Sequence, residues 1–571
     1  MRLKIVRITI FGFFCIIAVN LFYTQIIRGQ YYYGLSVDNR IRVIPSEGRR
    51  GSILDRYGDV LVGNRLSFNV AVIPQDIKES EFLFDYLSEV LKTEKKELLQ
   101  RFYQKKITPF APVVIAEDID KKIAMELEEN RFRFPGLYVQ ETFRRHYPYH
   151  GLGAHVLGYV GKISRSRMEK LEEYGYTPKS IVGYLGVEES YDAFLKGEEG
   201  GKQIEVDARG RQRRLLSVKE PQRGQDIQLT IDARIQRLAF DILDDKSGTI
   251  IVMDLDTGGI LGMVSAPAFD PNVLVSSRYA KEAASIFIDE GAPLLNRAIK
   301  GLYPPGSVFK TIVSLAGLVT KKIEPSTTYF CKGSYKLGRR RFRCAHVHGT
   351  NDLIGAIARS CNVYFYNVGL LLGPEIMNKY ARILGLGRLT HIDLPFEEKG
   401  SIPSPLQRKM KSNRGWYDGD TLNFSIGQGD VLVTPIQAVR MMANVARGGK
   451  EVQPHLIKAI GGREVIQFST VKNIHIKKKI FETVQKGLRD VVQSERGTAK
   501  ILNMDGFEIS GKTGTAQTAP GKPSHAWFVG YSTQGKKRIA FCIFIEHGGS
   551  SYYAVRMTRN FLKKLREEEI I

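Results

Sequence analysis

The 571-residue chain is short of acid, with 60 Asp plus Glu against 84 Lys plus Arg and a formal charge of +24. Such an excess suits nucleic acid, an anionic membrane surface or an anionic polymer such as cell wall. The patterns that would select nucleic acid are missing: there is no zinc-finger, RNA-binding or helix-turn-helix signature, and the basic residues are scattered rather than blocked. No nucleic-acid partner is expected. Long apolar runs are scarce too, since nothing after the first thirty residues is long enough to span a bilayer again. Cysteine is sparse and forms no CxxC pair; the five are Cys15, Cys331, Cys344, Cys361 and Cys542. Hydrophobic residues are not lacking, at 43%, which argues against disorder, and the length exceeds what one core usually supports, so two or three domains are expected.

The one long apolar run follows Arg2, Lys4 and Arg7 and extends from Ile8 to Tyr23, continuing through Ile26 and Ile27. At about 20 residues it is long enough to cross a bilayer. A cleaved signal peptide would have a shorter apolar core and a small-residue cleavage site, whereas Gln30-Tyr31-Tyr32-Tyr33 offers none. The reading is an uncleaved anchor over residues 1–28, its basic end in the cytoplasm and the rest of the chain outside the cytoplasmic membrane.

Residues 29–225 read as an irregular α+β domain, with alternating runs such as Phe68–Ile73 and charged helical stretches such as Glu94–Lys105. The basic, turn-rich stretch Gly200–Gly224 reads as a hinge or domain boundary. From 226 to 571 a second domain is expected. Ile227–Ile231 alternates as a strand and Asp232 caps a helix; Gly248–Leu255 and Ile260–Ser265 flank the turn Asp256-Thr257-Gly258-Gly259. Further strands are expected at Ile509–Gly511, Ala526–Tyr531 and Arg538–Ile545, and a closing helix at Tyr553–Glu569. The fold class is therefore α+β, with one antiparallel sheet built from both ends of the second domain and helices on its faces.

In Pro305-Gly306-Ser307-Val308-Phe309-Lys310 a serine stands at the start of an apolar helix with a lysine one turn on, on the same face. A serine hydroxyl needs a base, and a lysine serves if burial, a helix N-terminus or a second cation lowers its pKa. Ser360-Cys361-Asn362 and Lys512-Thr513-Gly514-Thr515 follow in the same domain. Each element has a decoy: Ser469 to Lys472, Ser67 to Asn69, and Lys246 to Gly248. Only the first set is ordered within one domain. In it, Lys512 would offer positive charge to a substrate carboxylate and keep Lys310 neutral, while Thr513 donates to that carboxylate. Gly514 would leave room for a substrate strand, and the Thr515 N–H would complete an oxyanion hole. Ser360 would relay a proton between Lys310 and the leaving amine, and Asn362 would bond the substrate amide.

This ordered triple is the pattern of penicillin-binding proteins and class A β-lactamases. With Arg50–Gly58, Gly183–Glu188, Gly427-Gln428-Gly429 and Thr434–Gln437, the chain resembles the class B penicillin-binding proteins over nearly its whole length. Gly415–Thr421 and Ala516-Gln517 look like its elongation branch, the penicillin-binding protein 2 group. The resemblance implies an anchored pedestal and a penicillin-binding, serine β-lactamase-like transpeptidase domain. It further implies a Ser307 acyl-enzyme formed from D-Ala-D-Ala stem peptides, with carboxypeptidase side activity, and acylation by β-lactams. The partner it implies is a polytopic glycosyltransferase of the shape, elongation, division and sporulation (SEDS) group; the implied place is the inner membrane. A β-lactamase would instead need a carboxylate base, for which Glu397 is the candidate.

Cys331, Cys344, His348 and Cys361 are spaced C-x12-C-x3-H-x12-C. Three sulfurs and an imidazole suit a structural, tetrahedral zinc, with buried free thiols or one disulfide as alternatives and His346 in reserve. The resemblance implies that some elongation-type members carry a metal site in this region, and in many of those carboxylates hold the first two positions, so cysteines here would be a departure in ligand type.

Overall fold

The computed structural model of the chain describes residues 2–32, 41–46, 48–106, 109, 111–178, 180–206, 212–465, 472–534 and 537–570. The expected anchor is a helix, α1 (Arg2–Phe22), prolonged by a π-helical turn at Tyr23–Ile27. Leu3–Ile27 is long and apolar enough to cross a membrane. Phe11, Phe14 and Ile26 stand exposed, and a helix that is apolar all round needs a non-aqueous surround.

The chain falls into two compact units, one of Met1–Gly51, Asn64–Arg144 and Lys196–Gly224, the other of Ser52–Gly63, Arg145–Leu195 and Gln225–Ile571. In the first, the Phe68–Val72 part of strand Val60–Val72 pairs with Val113–Ile119. The amphipathic helices Ser80–Leu91 and Lys95–Lys105 bring Leu83, Phe84, Leu87, Leu98 and Phe102 into one core with Val70 and Val72. The stretch expected to be a hinge or boundary contains a hairpin, in which Gly200–Val206 pairs with Gln212–Lys219 and with Ile41–Ser46, and the first unit ends at its Gly224. Ile204 and Val206 alternate with Gln203 and Glu205, a period of two that the neighbouring glycines and arginines obscured. Residues 207–211 lie outside the described residues.

In chain order the second unit contains helix α2 (Ala233–Leu243), strands β1 (Gly248–Asp254) and β2 (Ile260–Ala266), helix α3 (Lys310–Val319), the short strands β3 (Ser334–Leu337) and β4 (Arg340–Arg343), and helices α4 (Asn362–Ile383), α5 (Pro435–Ala446) and α6 (Lys478–Gln493). Strands β5 (Ile509–Ala516), β6 (His525–Ser532) and β7 (Ile539–Ile545) and helix α7 (Ser551–Glu567) complete it. The central sheet has the order β2-β1-β7-β6-β5 with every pair antiparallel. It is thus built from both ends of the domain, as expected. Its strands are buried on both faces because α2 and α7, in mutual contact, cover one and the apolar α5 covers the other. Asp232 caps α2 by accepting from the Arg234 N–H.

Strand β5 lies at the sheet edge. In the same unit, the carboxylate of Glu188 accepts from the Arg145 guanidinium at 2.5 Å, with side-chain exposures of 0% and 1%. Removing one partner of such a pair leaves an uncompensated buried charge. Glu188→Ala is expected to destabilise the unit by about 3–5 kcal/mol, read as a lower denaturation midpoint, while Arg145→Met with Glu188→Leu recovers most of the loss.

Candidate active site

The turn before α3 is set by backbone contacts. Gly306, at φ +54°, donates its N–H to the Gly427 carbonyl at 3.0 Å, and Gly306–Phe309 forms a 3-10 turn that runs into α3. Gly427 also has positive φ, and a Cβ there would lie 2.2 Å from the Gly306 oxygen, so no other residue fits without moving the turn. Phe309 packs on Phe424 and is fully buried, as is α3 from Lys310 through Leu318. Ser307 remains half-buried, its hydroxyl without a hydrogen bond among the described residues.

Lys310 has no exposed surface. Its Nζ donates to Ser360 O at 2.8 Å, Ser360 Oγ at 3.2 Å and Asn362 Oδ1 at 2.6 Å, and lies 5.4 Å from the Phe365 ring centre. Ser360 takes a left-handed backbone, φ +55°, rare for a residue with a side chain and frequent at functional sites. Burial pushes the Lys310 pKa down to about 8, against the opposing pull of the Cys344 and Cys361 sulfurs. Both ends of the Asn362 amide are engaged, since Nδ2 donates to Arg343 O at 3.1 Å, so its expected bond to a substrate amide requires an exchange of partners.

Lys512, Thr513, Gly514 and Thr515 lie on β5, whose free edge leaves alternate backbone groups unpaired by the sheet. Lys512 is fully buried; its Nζ reaches Thr513 O at 3.2 Å and Thr513 Oγ1 at 3.4 Å. Burial pushes its pKa well below the lysine range, and the Lys310 ammonium pushes it further. For Lys310 the leading cause is its own burial, and the mutual repulsion between Lys310 and Lys512 acts in the same direction. A Cβ at Gly514 would meet Pro305 O at 2.8 Å and Val308 Cγ2 and Trp527 Cβ at 3.1 Å, so the glycine admits the close approach of the serine turn. Thr515 is exposed, and its Oγ1 accepts from the Ser551 N–H at 3.2 Å.

The sequence did not single out Thr498, whose hydroxyl is 2.8 Å from that of Thr513, nor the bond from Gln428 Nε2 to Thr515 O at 3.4 Å. Both contacts join segments far apart in the chain and carry no local signal. The decoys do not assemble: Ser67 bonds Asp118, Lys246 pairs with Asp245 on the surface, and Ser469 lies outside the described residues. Glu397, the candidate base of a β-lactamase, spends its two oxygens on the Thr390 and His391 N–H groups.

Cys331, Cys344, His348 and Cys361 converge, with their ligand atoms all within 4.8 Å of one another. His348 Nδ1 is 3.6 Å from Cys331 Sγ and 3.4 Å from Cys344 Sγ. Tetrahedral zinc at ordinary bond lengths would hold sulfur and nitrogen about 3.6 Å apart, so the donor set fits that ion. Cys344 is pulled down to about 4 by the Cys361 thiol first, and then by the N–H groups of Val363, Asn362 and His346, against its own burial; Cys361 is pushed up by the same partner. The Asn362 N–H donates to Cys344 Sγ at 3.2 Å, so one residue touches both the cluster and Lys310.

Residues 248–567 match the family described as Penicillin binding protein transpeptidase domain, and residues 45–229 match the Penicillin-binding Protein dimerisation domain. The chain is 32% identical over 567 residues to the peptidoglycan D,D-transpeptidase MrdA of Acinetobacter baumannii, covering 94% of this chain and 83% of that one. Penicillin-binding protein 2 of Helicobacter pylori, solved in complex with MreC, is similar with a TM-score of 0.82 at 30% identity, covering 93% of this chain and 100% of that chain. A chain from a structure titled "Structural coordination of polymerization and crosslinking by a peptidoglycan synthase complex" gives a TM-score of 0.75 at 30% identity, covering 98% and 97%. A family match over more than half the residues, together with likeness to these relatives at nearly full length, leads to one conclusion: the chain belongs to the class B penicillin-binding proteins, in the penicillin-binding protein 2 group.

Proposed function

We propose that this chain is a peptidoglycan D,D-transpeptidase of cell elongation and rod-shape maintenance, acting through an acyl-enzyme on Ser307. The observation that carries the reading is the buried amine of Lys310, held by Ser360 and Asn362 one turn from a half-buried serine whose hydroxyl has no hydrogen bond among the described residues. Ser307 Oγ attacks the penultimate D-Ala carbonyl of a donor stem peptide and gives its proton to neutral Lys310. Oxygen charge that develops is met by N–H groups of Ser307 and Thr515. The C–N bond breaks, and terminal D-Ala leaves as an amine with a proton relayed through Ser360. An amine of a second stem peptide then attacks the ester, its proton returns through the same groups, and Ser307 regains its hydrogen. Water in place of that amine gives carboxypeptidase side activity. Lys512, Thr513 and Thr498 receive the donor's terminal carboxylate, and β-lactams acylate the same serine.

Residues 1–28 form the anchor, 29–225 the pedestal and 226–571 the transpeptidase domain. The basic residues before the apolar helix support an N-terminus in the cytoplasm and a catalytic domain outside the cytoplasmic membrane, which the family resemblance makes an inner membrane. The relative solved in a complex that couples polymerization and crosslinking supports a polymerase as partner, for which the family resemblance implies a SEDS-group glycosyltransferase, and the Helicobacter relative supports a partner of the MreC kind. Zinc, held by Cys331, Cys344, His348 and Cys361, would supply a structural cross-link and no chemistry of its own. It would fix the Asn362 end that holds Lys310.

Intact-mass spectrometry of the chain with a fluorescent penicillin is expected to give one stable adduct, lost in Ser307→Ala. An unmodified wild type would reject the catalytic assignment, and an adduct gone within seconds would indicate a β-lactamase. Because only neutral Lys310 accepts the serine proton, the acylation rate constant is expected to rise about tenfold per pH unit below the lysine pKa and to level off above it. A stopped-flow series from pH 6 to 10 should place the bend at about 8. Chelation, or Cys361→Ser, is expected to lower the melting temperature and slow acylation at least about tenfold, followed by metal content and adduct formation.

A further inference from the structure

The hairpin of β3 and β4 spans the interval between Cys331 and Cys344 and is the most one-signed stretch of this unit. Against the expectation that the basic residues are scattered, it gathers Lys332, Lys336, Arg339, Arg340, Arg341 and Arg343, and no acidic residue occurs between Glu324 and Asp352. The register pairs Lys336 with Arg341, Ser334 with Arg343 and Tyr335 with Phe342. Tyr335 and Phe342 turn one face toward Tyr366, their ring centres at 6.1 and 5.9 Å, which leaves Lys336, Arg341 and Arg343 exposed on the other. Like charges directly opposite in a two-stranded ladder are destabilising. Here nothing offsets them: among the described residues none of the six side chains has an ion-pair partner. A solvated face would interleave signs, whereas this one is prepared for an anion.

The hairpin also has a position. Arg343 O accepts from Asn362 Nδ2 at 3.1 Å and from the Tyr366 hydroxyl at 3.2 Å, and the other end of the Asn362 amide holds Lys310. The cationic face therefore starts one hydrogen bond from the asparagine that touches the base. The donor's terminal carboxylate already has Lys512 and Thr513 on the opposite motif. The anion left over in the reaction is on the second stem peptide, whose free carboxylates must approach while its amine reaches the ester. We infer that Lys336 and Arg341 form a subsite for the free carboxylates of the acceptor stem peptide, a specificity element that rests on the transpeptidase reading above. It selects the acceptor by charge and has no part in forming the acyl-enzyme.

The test uses the full chain in detergent, with wild type, Lys336→Ala/Arg341→Ala and the charge-keeping Lys336→Arg/Arg341→Lys. Transfer is measured to two synthetic acceptor stem peptides, one with its carboxylates free and one with them amidated, beside penicillin acylation, which needs no acceptor. The alanine pair is expected to raise KM for the free-carboxylate acceptor about fivefold or more, with kcat and penicillin acylation within about twofold of wild type. The amidated acceptor should not distinguish the two proteins, and the charge-keeping pair should restore wild-type KM. An unchanged KM overturns the proposal, and so does an equal loss with both acceptors, which would mark structural damage. Loss of binding to anionic phospholipid vesicles with unchanged acceptor use would reassign the hairpin to the membrane surface. A wild type that penicillin leaves unmodified removes the transpeptidase reading, and the subsite with it, whereas normal acylation with an unchanged KM removes the subsite alone.

Discussion

The amine of Lys310 is completely buried and must find its acceptors inside the protein, and it finds three of them on the Ser360–Asn362 segment. Much of the surrounding structure serves that requirement. Ser360 accepts a left-handed backbone so that its carbonyl and hydroxyl can both face the nitrogen. Asn362 caps the arrangement with its oxygen and is itself held by Arg343 and by Cys344. Desolvation does the chemical work, bringing the lysine to about 8, where a neutral amine is accessible near physiological pH.

A second constraint is closeness of backbone to backbone. The serine turn is wedged between the Gly427 carbonyl and the edge strand at Gly514, and both glycines exist because a Cβ would strike a main-chain oxygen. The sheet edge and the helix start are thereby fixed to one another without any long side chain. That arrangement keeps Ser307 half-open while everything immediately behind it is packed.

Much of this was legible in the sequence, for identifiable reasons. Strands such as β1 and β7 announce themselves as continuous apolar runs, and the order of Ser307, Ser360 and Lys512 separates them from decoys that share their local pattern. The hairpin at Gly200–Lys219 is hard to see in a stretch whose composition suggests a hinge or boundary, because glycine and arginine dominate it while its alternation is short. Thr498 was invisible because a hydroxyl gains its meaning only from the strand it faces. The glycine of the Lys-Thr-Gly motif is visible in the sequence, but its neighbour Pro305 is not, being distant in the chain and adjacent only in the fold. The cysteine and histidine spacing suggested convergence, yet the N–H groups aimed at Cys344 could be seen only in three dimensions.

The contact between Gly306 and Gly427 has a consequence for how this protein can change under selection by drugs. It is made by main-chain atoms alone, at two positions where other residues are strained or blocked, so it offers no graded series of substitutions. The geometry of the attacking serine is closed to gradual adaptation from that side. Variation that alters drug access without disabling the enzyme has to arise at the rim, where Gln428 and Thr515 present side chains whose size and polarity can shift one residue at a time.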